Sequence, residues 1–268
     1  MHVLAIGAFF AVVVAAALTT HAVAAPTASS APKSAAGTLN LRAVFRLVSQ
    51  LGACPPGVTA SACATRTGDG IVPGLGRVSE AYAWLADIGP PTCVDGFGKT
   101  RAYPVRLVVA TKGDIDLSLG EGAQCIEQEP VRNQTQTFTI TGGTGIYVGA
   151  TGSGTVQRTL SGETATGRIG RETWTGTLDV PGLEFDVTPP TLTGVSAKRV
   201  RAPKRATRVR VTYNVTAQDS ADGAVAVSCV PRSGSRIRIG RTLVTCSASD
   251  SSGNARTARF TVTVTRRR

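Results

Sequence analysis

Leu39-Asn40-Leu41-Arg42-Ala43-Val44-Phe45-Arg46-Leu47-Val48 sets Leu39, Leu41, Ala43, Phe45 and Leu47 on alternate positions, with Asn40, Arg42, Val44, Arg46 and Val48 between them. A period of two is the pleat of a strand that buries one face. Shorter stretches with strand character recur at 79–85, 103–111, 115–119, 136–141, 155–160 and 173–180, separated by Gly- and Pro-rich turns. No segment carries a convincing 3.6-residue apolar period, so the chain is expected to be all-β. Seven or so strands over 38–184 predict a closed barrel or a sandwich. Residues 54–76 read as a long loop.

Toward the N-terminus, residues 3–18 are almost wholly apolar and lead to Ala22-Val23-Ala24, a small-x-small site. This predicts a signal peptide over 1–24, although no Lys or Arg precedes the apolar run. It is shorter than the roughly 20 apolar residues a spanning helix needs. Residues 25–37 (APTASSAPKSAAG) are small, polar and Pro-containing, as expected of a flexible linker. The expected location is extracellular, with no membrane span.

Six cysteines, Cys54, Cys63, Cys93, Cys125, Cys229 and Cys246, follow the leader, with no C-x-x-C among them. An even count in an exported chain predicts disulfides rather than zinc or redox chemistry. Cys54 and Cys63 would close a local loop and leave Cys93 with Cys125, though other pairings stay open. The two histidines, His2 and His21, both lie in the leader. Without imidazole, Ser-His-Asp or Cys-His catalysis and a His-ligated catalytic zinc have no parts to use. The acids of the first domain are scattered and read as solvated strand ends. No catalytic residue and no cofactor is expected.

The densest local signal is 137–154, Thr-Phe-Thr-Ile-Thr-Gly-Gly-Thr-Gly-Ile-Tyr-Val-Gly-Ala-Thr-Gly-Ser-Gly. A phosphate-binding loop would need a Lys and a following helix, whereas Thr155 and Val156 continue into a strand. The expected arrangement is a strand, a Gly142-Gly143 turn, a short return with Tyr147 and a second strand. Ala150, Gly152 and Gly154 share one nearly bare face, which leaves room for a neighbour or a cavity. The run resembles the Gly-Gly-Thr-Gly-x-Tyr-x-Gly-Ala-x-Gly element of the allene oxide cyclase and dirigent-type β-barrels. That resemblance implies an eight-stranded barrel, able in some relatives to hold an apolar small molecule, but no catalytic residue has a counterpart here.

Beyond residue 186 short Val/Thr strands alternate with regular turns. Pro189-Pro190, Val211-x-Tyr213, Ala217-x-Asp219, Asp222-Gly223, Val225-x-Val227-x-Cys229-x-Pro231, Ile239-Gly240-x-Thr242-x-Val244-x-Cys246-x-Ala248-x-Asp250, Gly253-Asn254 and Phe260-x-Val262-x-Val264 appear in order. This series resembles the hyalin repeat (HYR) domain, which implies an immunoglobulin-like sandwich over 186–268, an extracellular setting and adhesion. Relatives often carry two further cysteines where this chain has residues near Gly194 and Ala258. The resemblance therefore implies Cys229–Cys246 as the surviving staple.

Charge is divided sharply. From Val187 onward sixteen Lys and Arg face three acids, Asp219, Asp222 and Asp250; before it, thirteen bases face fourteen acids. Lys198, Arg199, Arg201, Lys204, Arg205, Arg208 and Arg210 form the main basic cluster, with Arg236, Arg238, Arg241 and the Arg266–Arg268 tail adding to it. A solvated, Arg-rich face accounts for such a cluster, and so does contact with an anionic polysaccharide, nucleic acid or lipid surface. No aromatic residue in the cluster offers a stacking platform for bases. Asp219, Asp222, Asp250 and Asn254 have the oxygen ligands calcium takes, but turn capping accounts for each, so no metal is expected. The expected protein is a secreted, non-catalytic binding or adhesion protein whose partner is an extracellular or cell-surface macromolecule. The alternative is an apolar-ligand carrier or isomerase-like barrel tethered by the HYR domain. Asn133-Gln-Thr135 and Asn214-Val-Thr216 fit the glycosylation sequon.

Overall fold

The computed structural model describes residues 37–54, 56–57, 59, 63–89, 96–102, 105–128, 131–165 and 167–266. The expected leader and, but for Gly37, the lead-in lie outside the described residues, as does Cys93 and hence any Cys93–Cys125 bond. The first part is built from β1 (Thr38–Gly52), β2 (Cys63–Val72), β3 (Gly76–Gly89), β4 (Gly96–Ala102), β5 (Val105–Val109), β6 (Gly113–Leu119), β7 (Gly122–Gln128), β8 (Val131–Gly143), β9 (Gly152–Thr164) and β10 (Gly167–Asp179). Neighbours run β2-β1-β10-β9-β8-β6-β5-β3, and β3 returns to β2, so eight strands close a barrel. The near half of β3 pairs with β5 and its far half with β4. Likewise β8 pairs with β6 at one end and β7 at the other. Because β4 also pairs with β7, these two strands carry the wall onward where β5 and β6 stop.

The alternation in β1 sets the wall's two faces. Leu39, Leu41, Ala43, Phe45 and Leu47 are buried inside, while Asn40, Arg42, Val44, Arg46 and Val48 face out. On this strand Asn40, Arg42 and Arg46 thus share the outer face with two valines. Among the described residues no helix is long and apolar enough to cross a membrane.

Two expectations need correction. Residues 54–76 are not one loop, because Cys63–Val72 is the strand that closes the barrel between β1 and β3. Its inward positions are Arg66, Gly68, Gly70 and Val72, so the apolar alternation that marks a strand is missing. The glycines yield space to bulky neighbours: a Cβ on Gly70 would lie 2.5 Å from the Val44 carbonyl oxygen and 3.1 Å from the Phe45 ring. Nor does Gly142-Gly143 make the turn. Both lie in β8, paired with Asp116 and Ile115, and the chain reverses through Thr144–Ala150 around a single 3-10 turn, Gly145–Tyr147. Tyr147 is buried there, and burial pushes its phenol up to about 12. The bare face of β9 receives a neighbour: the Phe138 ring sits where a Cβ on Gly154 or Gly176 would fall, at 2.6 and 2.7 Å.

The closed eight-stranded barrel is the architecture implied by the resemblance at 137–154, and supports it at that level alone. Smaller sheets follow: β11 (Thr191–Thr193), β12 (Lys198–Ala202), β13 (Arg208–Arg210), β14 (Thr216–Asp219), β15 (Gly223–Val225), β16 (Val227–Val230), β17 (Arg236–Arg238), β18 (Gly240–Ser249) and β19 (Ala255–Arg266). They form the sets β11-β14-β15, β12-β19-β18-β16 and β13-β17. Their inward side chains, among them Ala202, Val211, Ile237, Val244, Cys246, Phe260, Val262 and Val264, share one core. The region is sandwich-like. Tyr213 meets Phe260 edge to face at 5.2 Å and donates its hydroxyl to the Pro231 carbonyl.

Two expected disulfides are present. Cys54–Cys63 ties the end of β1 to the start of β2. Cys229–Cys246 joins residues directly opposed on β16 and β18, with a sequence separation of 17. Closing a loop of that size restricts the unfolded chain by about 3 kcal/mol. Replacing both cysteines by alanine is therefore expected to lower the denaturation midpoint of this region by a matching amount, read by circular dichroism in guanidinium chloride. An unchanged midpoint would show that the bond contributes nothing to stability.

Candidate functional site

Strand register sorts the basic residues in a way their sequence order conceals. In the β13–β17 ribbon, Arg208 faces Arg238 and Arg210 faces Arg236, while Val209 faces Ile237. Ile237 is buried and Val209 half-buried, so the apolar pair turns inward and four arginines project from the exposed face. Like charges directly opposed across a strand pair destabilise it. Here the cost is borne with no acidic partner, for among the described residues none of these arginines forms an ion pair. The described ion pairs lie in the barrel, where Arg106 meets Asp114 and Asp116 and Glu172 meets Arg66 and Arg158.

The other members of the sequence cluster separate. Arg199 and Arg201 stand on β12, beside Thr263 and Thr265 of β19, and Arg241 of β18 flanks Thr263 from the other side. Lys198 is occupied by a bond to the Thr212 carbonyl. Lys204 and Arg205 take the two central positions of the turn closed by the Ala206 amide on Pro203. Arg205 has a φ of 66°, in the left-handed region that costs a side-chain-bearing residue roughly 1–2 kcal/mol.

The three acids of this region gather at one end of the strands. Antiparallel β18 and β19 place Gly240 beside Val264 at one end and Ser249 beside Ala255 at the other. The first end holds Arg238, Arg241 and Arg266, and the parallel pairing of Ala202 with Arg266 brings the Lys204-Arg205 turn to it. The second end holds Asp219, Asp222 and Asp250, with Arg256 paired to Ala248 nearby. It also meets the barrel: the Gly74 amide donates to the Ser252 carbonyl at 2.8 Å, and a Cβ on Gly253 would lie 2.8 Å from Ile71. The basic end thus points away from the barrel, some 30 Å along strands of this length.

Near the ribbon, Tyr213, Asn214, Val215, Val227, Ser228, Cys229, Arg232 and Ser233 line an open groove of about 430 Å³. Burial raises the Tyr213 phenol above its ordinary value. The Ser233 hydroxyl accepts from the Tyr213 amide and donates to its carbonyl, fixing one wall.

The barrel interior holds a second concentration of polar chemistry, unforeseen from sequence. Glu80 and Glu172 are buried rather than solvated, together with Arg66, Arg158, Gln134 and Gln136. Register explains the grouping, since Glu172, Arg158 and Gln134 are consecutive cross-strand neighbours on β10, β9 and β8. Arg158 pairs with Glu172 and donates to Gln134 and, at 3.0 Å, to Gln136. Gln136 in turn donates to the Gly120 carbonyl at 2.7 Å, and the Trp174 indole donates to Glu172 at 3.2 Å. Below this layer Trp174 meets Phe45 and Phe138 within a core of leucines, valines and isoleucines.

Of the four residues weighed for calcium, the structure brings together Asp219 and Asp250 and adds Asp186. Asp222 instead accepts from the Ser251 amide and hydroxyl, at 2.5 and 2.9 Å. Turn capping is real: Asp219 accepts from the amides of Ala221 and Asp222, and Asp250 from that of Asn254.

Residues 185–264 match the family described as HYR domain, so the chain carries that domain beyond its barrel. Comparison with curated proteins and with solved structures finds no match in either. The HYR domain is an extracellular, adhesion-type module, and its presence agrees with the disulfides and with the basic, solvent-facing surface just described.

Proposed function

We propose that the protein is a secreted, non-catalytic adhesion protein whose HYR domain grips an anionic extracellular polymer, polysaccharide foremost. One observation carries the reading: the β13–β17 ribbon aligns Arg208, Arg238, Arg210 and Arg236 on one exposed face, and among the described residues no carboxylate pairs with them. A polyanion relieves the repulsion between these guanidinium groups and lays several anionic groups along their row. Distance from the barrel leaves that end open to a long partner. Non-catalytic action is supported by the lack of imidazole after His21 and by the character of the domain. An apolar-ligand carrier has less support, since the described barrel interior sets the buried charges of Arg66, Glu80, Arg158 and Glu172 beside its apolar side chains.

Titration of the full chain against heparin, with neutral dextran as control, tests this. Four charge contacts, each adding about −0.9 to the slope of log affinity against log salt, give roughly a hundredfold loss between about 50 and 200 mM salt for a partner of DNA-like charge density. The R208Q/R210Q/R236Q/R238Q protein is expected to lose most of that slope. Affinity indifferent to salt, or undiminished in the quadruple variant, would overturn the proposal.

A further inference from the structure

The opposite, barrel-facing end of the domain holds a different kind of chemistry, independent of the arginine ribbon. One carboxylate oxygen each from Asp186, Asp219 and Asp250 lies within 4.8 Å of the other two. Asp219 and Asp250 are buried and Asp186 half-buried. Three carboxylates in such a space repel, and burial removes the water that would weaken the repulsion. Mere capping does not account for the convergence, because each cap uses a single carboxylate and needs no second acid beside it.

The hydrogen bonds divide the oxygens by task. Asp186 Oδ1 accepts from the Thr188 amide at 3.0 Å. Asp219 Oδ1 accepts from the Ala221 and Asp222 amides at 2.8 and 3.1 Å. Asp250 Oδ1 and Oδ2 accept from the backbone amide and side-chain amide of Asn254, at 2.8 and 2.9 Å. That same Asn254 side-chain nitrogen also donates to the Asp186 carbonyl at 2.9 Å, tying the connector to the loop after β18. The remaining oxygens, Asp186 Oδ2 and Asp219 Oδ2, are inaccessible to solvent and have no hydrogen-bond partner. Asp219 is 5% exposed. A buried carboxylate oxygen without a donor is costly and uncommon.

We infer that Asp186, Asp219 and Asp250 form a binding site for a divalent cation, calcium in preference to magnesium. Oxygen-only ligands suit a hard cation, and the absence of thiolate or imidazole excludes zinc-type coordination. Calcium tolerates an irregular set completed by water, whereas magnesium demands near-octahedral geometry and gives up its water reluctantly. The three acids come from the connector after the barrel, the end of β14 and the end of β18. Residues 251–253 of the adjoining loop rest on the barrel turn around Gly74. An ion here would pin the connector to the same loop that touches the barrel, and stiffen the junction.

The test is calorimetric titration of the full chain, stripped with chelator and held in constant sodium chloride, with calcium chloride and separately magnesium chloride. Asp219→Asn and Asp186→Asn are compared with the parent; in each, the side-chain amide oxygen that replaces the carboxylate can still cap its turn. The expected result is one calcium site of about 10⁻³ M affinity or tighter, at least about tenfold weaker for magnesium and in either variant. Calcium should also slow hydrogen exchange at residues 186–190 and 250–254. No heat and no exchange protection up to about 10 mM calcium would overturn the inference, since even weak extracellular sites are filled there. Equal response to magnesium, or affinity unchanged in both variants, would overturn it too.

Discussion

Replacing Glu172 by Gln is expected to destabilise the barrel by about 3–5 kcal/mol, the cost of removing one partner from a buried ion pair. Glu172 is fully buried, and its Oε1 is shared by Arg158, itself 1% exposed, and by Arg66 at 3.8 Å. Glutamine keeps the shape of the side chain but supplies no charge, so two guanidinium groups stay in the interior with one carboxylate fewer. That loss is a large part of the roughly 5–15 kcal/mol by which domains are ordinarily stable. The chain's two tryptophans, Trp84 and Trp174, both fall within β3 and β10 of the barrel, so their fluorescence in guanidinium chloride follows this part of the molecule and not the HYR domain. Combining E172Q with Arg158→Met should recover part of the loss, because the double change removes both charges together. A change below about 1 kcal/mol in the single variant would mean that the carboxylate is hydrated and the layer is not a sealed network.

A second large effect is expected from Trp174→Ala, about 3–5 kcal/mol by the usual cost of truncating a buried aromatic residue. Trp174 is wholly buried, 5.0 Å from the Phe138 ring and 6.4 Å from that of Phe45 in an edge-to-face contact. Its loss opens a cavity at the barrel's waist and withdraws the indole donor from Glu172 Oε2. Trp174→Phe separates the two contributions. It refills much of the space and leaves chiefly the missing hydrogen bond, for which about 1–3 kcal/mol is expected. Unfolding followed by circular dichroism, with fluorescence of Trp84 as a second probe, measures both. Equal losses in the two variants would assign the effect to the hydrogen bond rather than to packing.

The pleat of β1 was legible because its period of two survives in the residues themselves, and burial follows it position by position. The adjoining β2 was not, since its inward face carries Arg66 and two glycines that make sense only once Phe45 and Glu80 stand opposite them. The HYR domain was legible through turn residues and cysteine spacing, which are local constraints on the backbone. Cys229–Cys246 was implied by the resemblance. The basic cluster could be counted along the chain, but counting did not reveal that Arg208 and Arg210 would stand against Arg238 and Arg236, or that Lys198 would be engaged by Thr212.

Local order along the chain therefore established the all-β character, the disulfide habit, the adhesion-type module and the concentration of net positive charge beyond residue 186. Pairing partners far apart in sequence are a matter of register, and register is decided only when the sheets close. That closure buried Glu80 and Glu172, which read alone as solvated acids, and set Glu172 beside Arg66 and Arg158. It also drew Asp186, Asp219 and Asp250 together from three separate segments. Alternation and turn chemistry act over a few residues and survive in the linear text, whereas proximity across a barrel or between strand ends is a property of the folded chain.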